Sequence, residues 1–351
     1  MLRSGAVIAA CVALAPQPQA QPPKPSAFGA QIASLSEAPG YFDTDNLISN
    51  ERSYLQVLPD LQHRQVRGGA YLGVGPDQNF SYIAEVRPDI AFIVDVRRDN
   101  MLLHLLFKAL FASSRTRVEY LALLTGRPVP AGLDAWRTAP IDRLITYVDN
   151  TSQAPRRVAD AVARIGVPLS AEDRATIERF HQRFIADGLS LRFQSTGRPP
   201  QSYNPTLRDL LRETDAAGRH GNYLASEDAF QFVKGLQARD LVIPVVGDLS
   251  GPAALAAIGR LLASRGERLS AFYVSNVEFY LFGDGTFPRF VSNLERIPRR
   301  ANSVLIRSAF GRYASPTRPG DASSSHLQSV DDLLRAHTAG KIRSYADIAG
   351  R

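Results

Sequence analysis

Two hydrophobic patterns recur along this chain. One is a short unbroken apolar run, as in Ala70-Tyr-Leu-Gly73, Ile90-Ala-Phe-Ile-Val94, Leu241-Val-Ile-Pro-Val-Val246 and Ala271-Phe-Tyr-Val274. Runs of that length, without polar alternation, predict strands buried on both faces of a parallel sheet. The other places apolar residues three and four apart: Phe80, Ile83 and Ala84; Phe230, Val233 and Leu236; Leu255, Ile258 and Leu262. That spacing predicts helices with one inward face. Pro76 suits a helix start and Pro88 a helix end, Ser226 can cap the second helix, and Pro252 and Gly266 bracket the third. Asn100 to Phe111, which Asp99 can cap, is apolar almost all round and reads as a buried helix. Ser303–Arg307 can supply a fifth strand. Strand and helix thus alternate, which predicts an α/β fold: a Rossmann-like three-layer sandwich with a mostly parallel sheet.

The rhythm breaks between residues 113 and 222. At least three helical segments fall there, one opened by Ser170-Ala-Glu-Asp173, which resembles a capping box ahead of Ile177, Phe180 and Phe184. The region reads as a helical insertion between the second and third core strands. It separates residues 41–112, an N-terminal helix near 50–58 and the first half of the core, from the second half at 223–312. A tail, 313–351, carries one helix near Val330–Ala336. Residues 21–40, rich in Pro, Gln, Ala and Ser, read as a flexible linker. Before them, Arg3 precedes an apolar run from Ala6 to Ala15, and residues 1–20 resemble a secretory signal peptide with Ala13-Leu14-Ala15 as a cleavage site. Ile8-Ala-Ala-Cys11 also resembles a lipoprotein box, which would leave a lipid anchor on Cys11. The expectation is an exported, periplasmic or envelope-associated protein with no transmembrane span; the alternative is a cytoplasmic protein with an Ala-rich tail.

Composition narrows the chemistry. The net charge is +7, but the basic residues are spread out and form no run of five, so nucleic acid is not an expected partner. One cysteine, Cys11, excludes an internal disulfide, and the six histidines lack H-x-x-x-H or H-E-x-x-H spacing, so no metal site is expected. No G-x-S-x-G motif is present to support a serine hydrolase.

Four strand ends carry the candidate site: Gly73-Val-Gly75-Pro76, Asp95, Gly247-Asp248 and Ser275-Asn276. Ligands of open parallel sheets bind outside the carboxyl ends of the strands. Glycines allow close backbone approach, the following helix offers N–H groups to a carboxylate, and Asp95, twenty positions after Gly75, can accept ribose hydroxyls. A dinucleotide would use the same acid, but Gln78 stands where G-x-G-x-x-G has its third glycine. With Pro76 directly after Gly75, that substitution favours a ligand without pyrophosphate.

At these positions the chain resembles the class I S-adenosylmethionine-dependent methyltransferases, over roughly residues 68–112 and 223–310. The resemblance implies that the Gly73-to-Pro76 loop holds the methionine part, Asp95 the ribose, Gly247 and Asp248 the adenine end, and Ser275 with Asn276 the reactive methyl. Asn276 and Glu278 are then the candidates for catalysis. Each residue has a plainer alternative: a tight turn at Gly73 and Gly75, a pair with Arg97 or Arg98 for Asp95, a helix cap for Asp248, and local loop bonds for Asn276 and Glu278. Asn50 and Glu51 read as a helix start, with a lid over the ligand as the alternative. A closer resemblance, to an uncharacterised bacterial protein family, rests on Phe42-Asp-Thr-Asp-Asn-Leu-Ile-Ser-Asn-Glu51, Tyr71-Leu-Gly-Val-Gly-Pro-Asp-Gln-Asn-Phe80, Asn222-Tyr-Leu-Ala-Ser-Glu-Asp228 and Val245-Val-Gly-Asp-Leu-Ser-Gly251. It implies no reaction.

Three features depart from the methyltransferases. More than a hundred residues separate the second and third strands; the fourth ends in Ser275-Asn-Val-Glu278 and not in Asn-Pro-Pro-Tyr; about forty residues follow the fifth strand, so the usual final antiparallel pair is reduced. The expected function is methyl transfer to a small-molecule substrate; the alternative is a non-catalytic or divergent envelope protein that binds a ligand or a protein partner. Export favours the alternative, because S-adenosylmethionine is made in the cytoplasm.

Overall fold

The apolar runs become neighbouring strands of one sheet: β1 (Ala70–Gly73), β2 (Ile90–Asp95), β3 (Val242–Val246), β4 (Leu269–Ser275) and β5 (Arg299–Phe310), joined by β6 (Ser323–Ser329). The structure, a computed structural model, describes residues 25–154, 158–199, 201–315 and 321–349. The expected signal over 1–20, with Cys11, lies outside the described residues. The strand order is β3-β2-β1-β4-β5-β6. The first five are parallel, and β6 runs antiparallel to β5. β1 to β4 are buried almost throughout, which is why their sequences do not alternate.

Connections leave β1 toward β2 and β3 on one side and cross to β4 on the other, so the direction of winding reverses between β1 and β4. Right-handed crossovers then place helices on both faces. Gln78–Val86, Arg98–Ser113 and Glu227–Ala238 pack together in one layer. Ala27–Leu35, Ala254–Arg265, Phe287–Glu295 and Val330–Thr338 form a chain of contacts in the other. The helix Arg98–Ser113 is buried along nearly its whole length, as its all-round apolar sequence requires. It starts two residues earlier than expected, so Asp99 lies in its first turn and is not its cap.

The region 113–222 is helical, with Ala159–Arg164 and Ala171–Asp187 packed on Arg98–Ser113. The capping box is present: Ser170 Oγ accepts from Asp173 N at 3.0 Å and Asp173 Oδ2 accepts from Ser170 N at 2.9 Å.

Two expectations are corrected. The described part of the expected linker, residues 25–40, is not a flexible linker: Ala27–Leu35 is a helix capped by Ser26, with Phe28, Ile32 and Leu35 buried against β3 and the helix Ala254–Arg265. Its apolar residues at four- and three-residue spacing outweigh the linker-like composition. The tail also holds more than a helix, because β6 completes the sheet. Residues 50–58 form a short 3-10 turn, Arg52–Leu55, followed by the helix Leu58–His63.

Candidate functional site

Parallel register sets the strand ends level. Gly73 lies opposite Ile93 and Tyr273, and Asp95 lies opposite Val246. The segments leaving these ends surround a cavity of about 320 Å³ at the reversal between β1 and β4. Gly75, Asp95, Gly247, Asp248, Ser275 and Asn276 all line it. Sequence reasoning therefore brings six of its nine candidate residues to one place.

The other three serve the frame. Gly73 is buried in the strand; a Cβ there would stand 1.8 Å from Asn79 Oδ1, so only glycine fits. Asn79 clamps the loop: its Nδ2 donates to Val74 O at 2.8 Å and Pro76 O at 2.7 Å, while its Oδ1 accepts from Tyr71 Oη at 2.8 Å. Pro76 belongs to this clamp and precedes the helix Gln78–Val86 by two residues. Glu278 is fully buried and paired with Arg307, whose Nη2 donates to its Oε1 at 2.9 Å and whose Nε donates to its Oε2. It does not line the cavity, so its expected catalytic part gives way to a structural one.

Gly75 adopts φ 78°, which turns the chain into the helix, and His104 Nε2–H donates to its carbonyl at 2.9 Å. Gln78, at the position that lacks the third glycine, also lines the cavity. It is 6% exposed; its Nε2 donates to Tyr273 Oη at 3.2 Å, and its Oε1 is buried without a partner among the described residues. An orphaned buried amide oxygen costs stability unless something bonds to it.

Asp95 pairs with Arg97 through both oxygens, at 2.8 and 3.1 Å, and Arg97 Nη1 in turn donates to Thr44 O at 2.9 Å. Asp248 turns its Oδ1 onto Ser250 N and Oγ, 2.7 and 3.0 Å away. The cap of the next helix is a different acid, Glu37, which accepts from Asp248 N at 2.8 Å, Ala253 N at 3.0 Å and Ala254 N at 3.3 Å.

Residues 41–51 form an irregular strap along the cavity, contributing Tyr41, Phe42, Thr44, Asn46 and Asn50 to its wall. Ser49 and Glu51 line it too, and Phe193 reaches it from the insertion. Both readings of Asn50 and Glu51 match their position: Glu51 immediately precedes the 3-10 turn Arg52–Leu55, and both residues line the cleft. Glu51 is 1% exposed, and its carboxylate accepts from Ser275 Oγ and Ser308 Oγ. Burial raises its pKa, against the lowering by those hydroxyls. Ser275 sits at φ 51°, a left-handed conformation that a serine holds only under constraint, and the Glu51 bond supplies one.

A second hollow, about 690 Å³, lies among the insertion helices, away from the strand ends. Two of its charged residues, Arg98 and Asp173, satisfy one another at 2.7 and 2.8 Å. Among the described residues no group of three or more His, Cys, Asp or Glu side chains could hold a metal, and no helix is long and apolar enough to cross a membrane.

One family, described as a domain of unknown function (DUF7790), matches residues 46–131 and 183–343. The match omits the middle of the insertion, residues 132–182, and includes every strand. A comparison with curated proteins gives no match.

Proposed function

This chain belongs to the DUF7790 family, and because the matched segments carry all but three of the residues lining the cleft, we propose that it binds S-adenosylmethionine and acts as a methyltransferase on a small molecule. The observation that carries the reading is the cleft itself: it opens at the winding reversal between β1 and β4, beside the Gly75 turn and the unpartnered Gln78 Oε1. The single antiparallel strand β6 stands where class I methyltransferases are implied to carry a final antiparallel pair.

The residues fit such a group. The loop through Gly75 and the first N–H groups of the helix Gln78–Val86 would hold the methionine carboxylate. Gln78 Oε1 is an unused acceptor for its ammonium group. Asp95 would hold the ribose, Gly247 and Asp248 the adenine end, and Ser275 and Asn276 would border the reactive end. When bound, S-adenosylmethionine supplies a methyl group on a positively charged sulfur. The chain's own part is alignment and proton handling. Glu51, anchored by Ser275 and Ser308, can take at a carboxylate oxygen the proton that an acceptor hydroxyl or amine gives up. The strap 41–51 and Phe193 wall the cleft.

One observation favours a second reading, a divergent non-catalytic ligand binder: Arg97 already occupies both oxygens of Asp95. Calorimetric titration of the folded protein with S-adenosylmethionine decides between them, and the absence of detectable binding sinks the methyl-transfer proposal. With binding, Asp95→Ala should weaken it by about 1–3 kcal/mol, the usual worth of a hydrogen-bonding charge; an unchanged affinity would place the ribose elsewhere.

A further inference from the structure

Four large apolar side chains are exposed among the described residues: Tyr41 at 78%, Tyr203 at 65%, Phe279 at 44% and Tyr280 at 41%. Single exposed apolar residues need no explanation, but a cluster does. Tyr41 and Tyr280 line the cleft, and Tyr203 and Phe279 line hollows that adjoin it. Two hollows, about 620 and 400 Å³, extend outward from it, and Asn276 and Tyr280 line the cleft and both hollows.

The two hollows differ in charge. In the one beneath the strap, Arg198 Nη2 pairs with Asp43 Oδ2 at 3.2 Å, so its charge is already matched. The other is walled by the rings of Phe279, Tyr280, Phe310, Tyr313 and Tyr345, with Arg312 as its cation and no carboxylate in its lining. Tyr345 meets Phe279 and Tyr313 edge-on, at ring-centre distances of 5.5 and 5.0 Å. Arg312 lies 4.9 Å over the Tyr313 ring and donates to Tyr313 Oη at 2.8 Å, with no acid within ion-pair range among the described residues. Five aromatic walls with one unmatched guanidinium suit a planar ring that carries an anion.

We propose that this outer hollow is the acceptor-substrate site and that it takes a small aromatic carboxylate, the acid paired with Arg312 and the ring reaching Asn276. As an acceptor site it rests on the methyltransferase reading; as a binding site it does not.

The test titrates the full chain with benzoate, 4-hydroxybenzoate and 4-hydroxycinnamate, and with the neutral amide of each, with and without S-adenosylmethionine. At least one acid should bind about tenfold more tightly than its amide, the preference a charge-assisted contact gives. Arg312→Gln, at an exposed position, should abolish that preference, acid and amide then binding alike. Failure of all three acids to bind, equal affinity for acid and amide, or a preference that survives Arg312→Gln overturns the inference. Acid binding without S-adenosylmethionine binding keeps the outer site and removes the donor reading. The converse keeps the donor reading and removes this one.

Discussion

Asp77 stands at the N-terminus of the helix Gln78–Val86, where a negative charge is ordinarily welcome. Yet it is buried, with Tyr223 Oη donating to its Oδ2 at 3.2 Å. Burial lifts its pKa from 3.8 to about 6. A raised carboxylate pKa means that the folded protein holds the proton more tightly than the unfolded chain does. The contribution to stability is therefore full below about pH 3.8 and is lost as pH rises through about 6. Asp77→Asn, which retains an acceptor for Tyr223, should match the wild type near pH 4 and exceed its unfolding free energy at pH 7 by about 2–3 kcal/mol. Urea unfolding across that range checks it. His104 and His326, both pushed down to about 4 by burial, act in the opposite direction over the same window. Only the difference between variant and wild type isolates Asp77, and a pH-independent difference would count against the assignment. At this scale the sequence disclosed the strand-end residues, because glycines and acids after apolar runs are local signals. It pointed to Glu51 as a helix start or a lid but concealed its partners, Ser275 and Ser308, which lie 224 and 257 positions away. Gln78 was visible only as a missing glycine, and its unpartnered oxygen emerges from packing.

Among the elements, the helix Val277–Gly283 is tied to the sheet by one ion pair. Glu278 and Arg307 are both fully buried, and Arg307 Nη1 also donates to Gln328 Oε1 on β6. Removing one partner of a buried pair leaves an uncompensated charge, typically at a cost of about 3–5 kcal/mol, whereas replacing both by apolar residues is far milder. Glu278→Ala should accordingly lose about that much unfolding free energy, and Glu278→Leu with Arg307→Met much less, by denaturant unfolding. Equal losses in the two would show that the pair carries no special weight. The core strands and helices were legible because each repeats one period over its length. β6 was not: Ser-Ser-Ser-His-Leu-Gln-Ser has no apolar alternation, and its place comes from antiparallel bonds to β5 along one edge. The helix Ala27–Leu35 lay hidden in linker-like composition, with Phe28, Ile32 and Leu35 as the readable signal.

Across the whole molecule, the N-terminal segment acts as a part of the core. Ser36 Oγ accepts from Val246 N at 3.1 Å, Glu37 N donates to Val246 O at 2.9 Å, and the Glu37 carboxylate caps the helix Ala254–Arg265. Glu37→Ala should lower stability by about 1–2 kcal/mol, the range for losing an N-cap, read as a fall in thermal midpoint. It should also weaken any ligand held at Gly247 and Asp248, because the same side chain fixes the Asp248 amide. A variant with wild-type stability and affinity would mean that solvent replaces the cap without cost. The insertion is the contrasting part: the family match skips residues 132–182, while the cleft residues from Asn46 onward fall inside it.

The helix Ala27–Leu35 also sets a limit on maturation. Ser26 caps it, donates its hydroxyl to Ile165 O at 2.9 Å and its N–H to Gly166 O at 2.8 Å. A protease that cut beyond Ser26 would remove a wedge between sheet and insertion, whereas a cut after Ala15 or before Cys11 would spare it. Any cut that leaves this cap intact must therefore fall before Ser26.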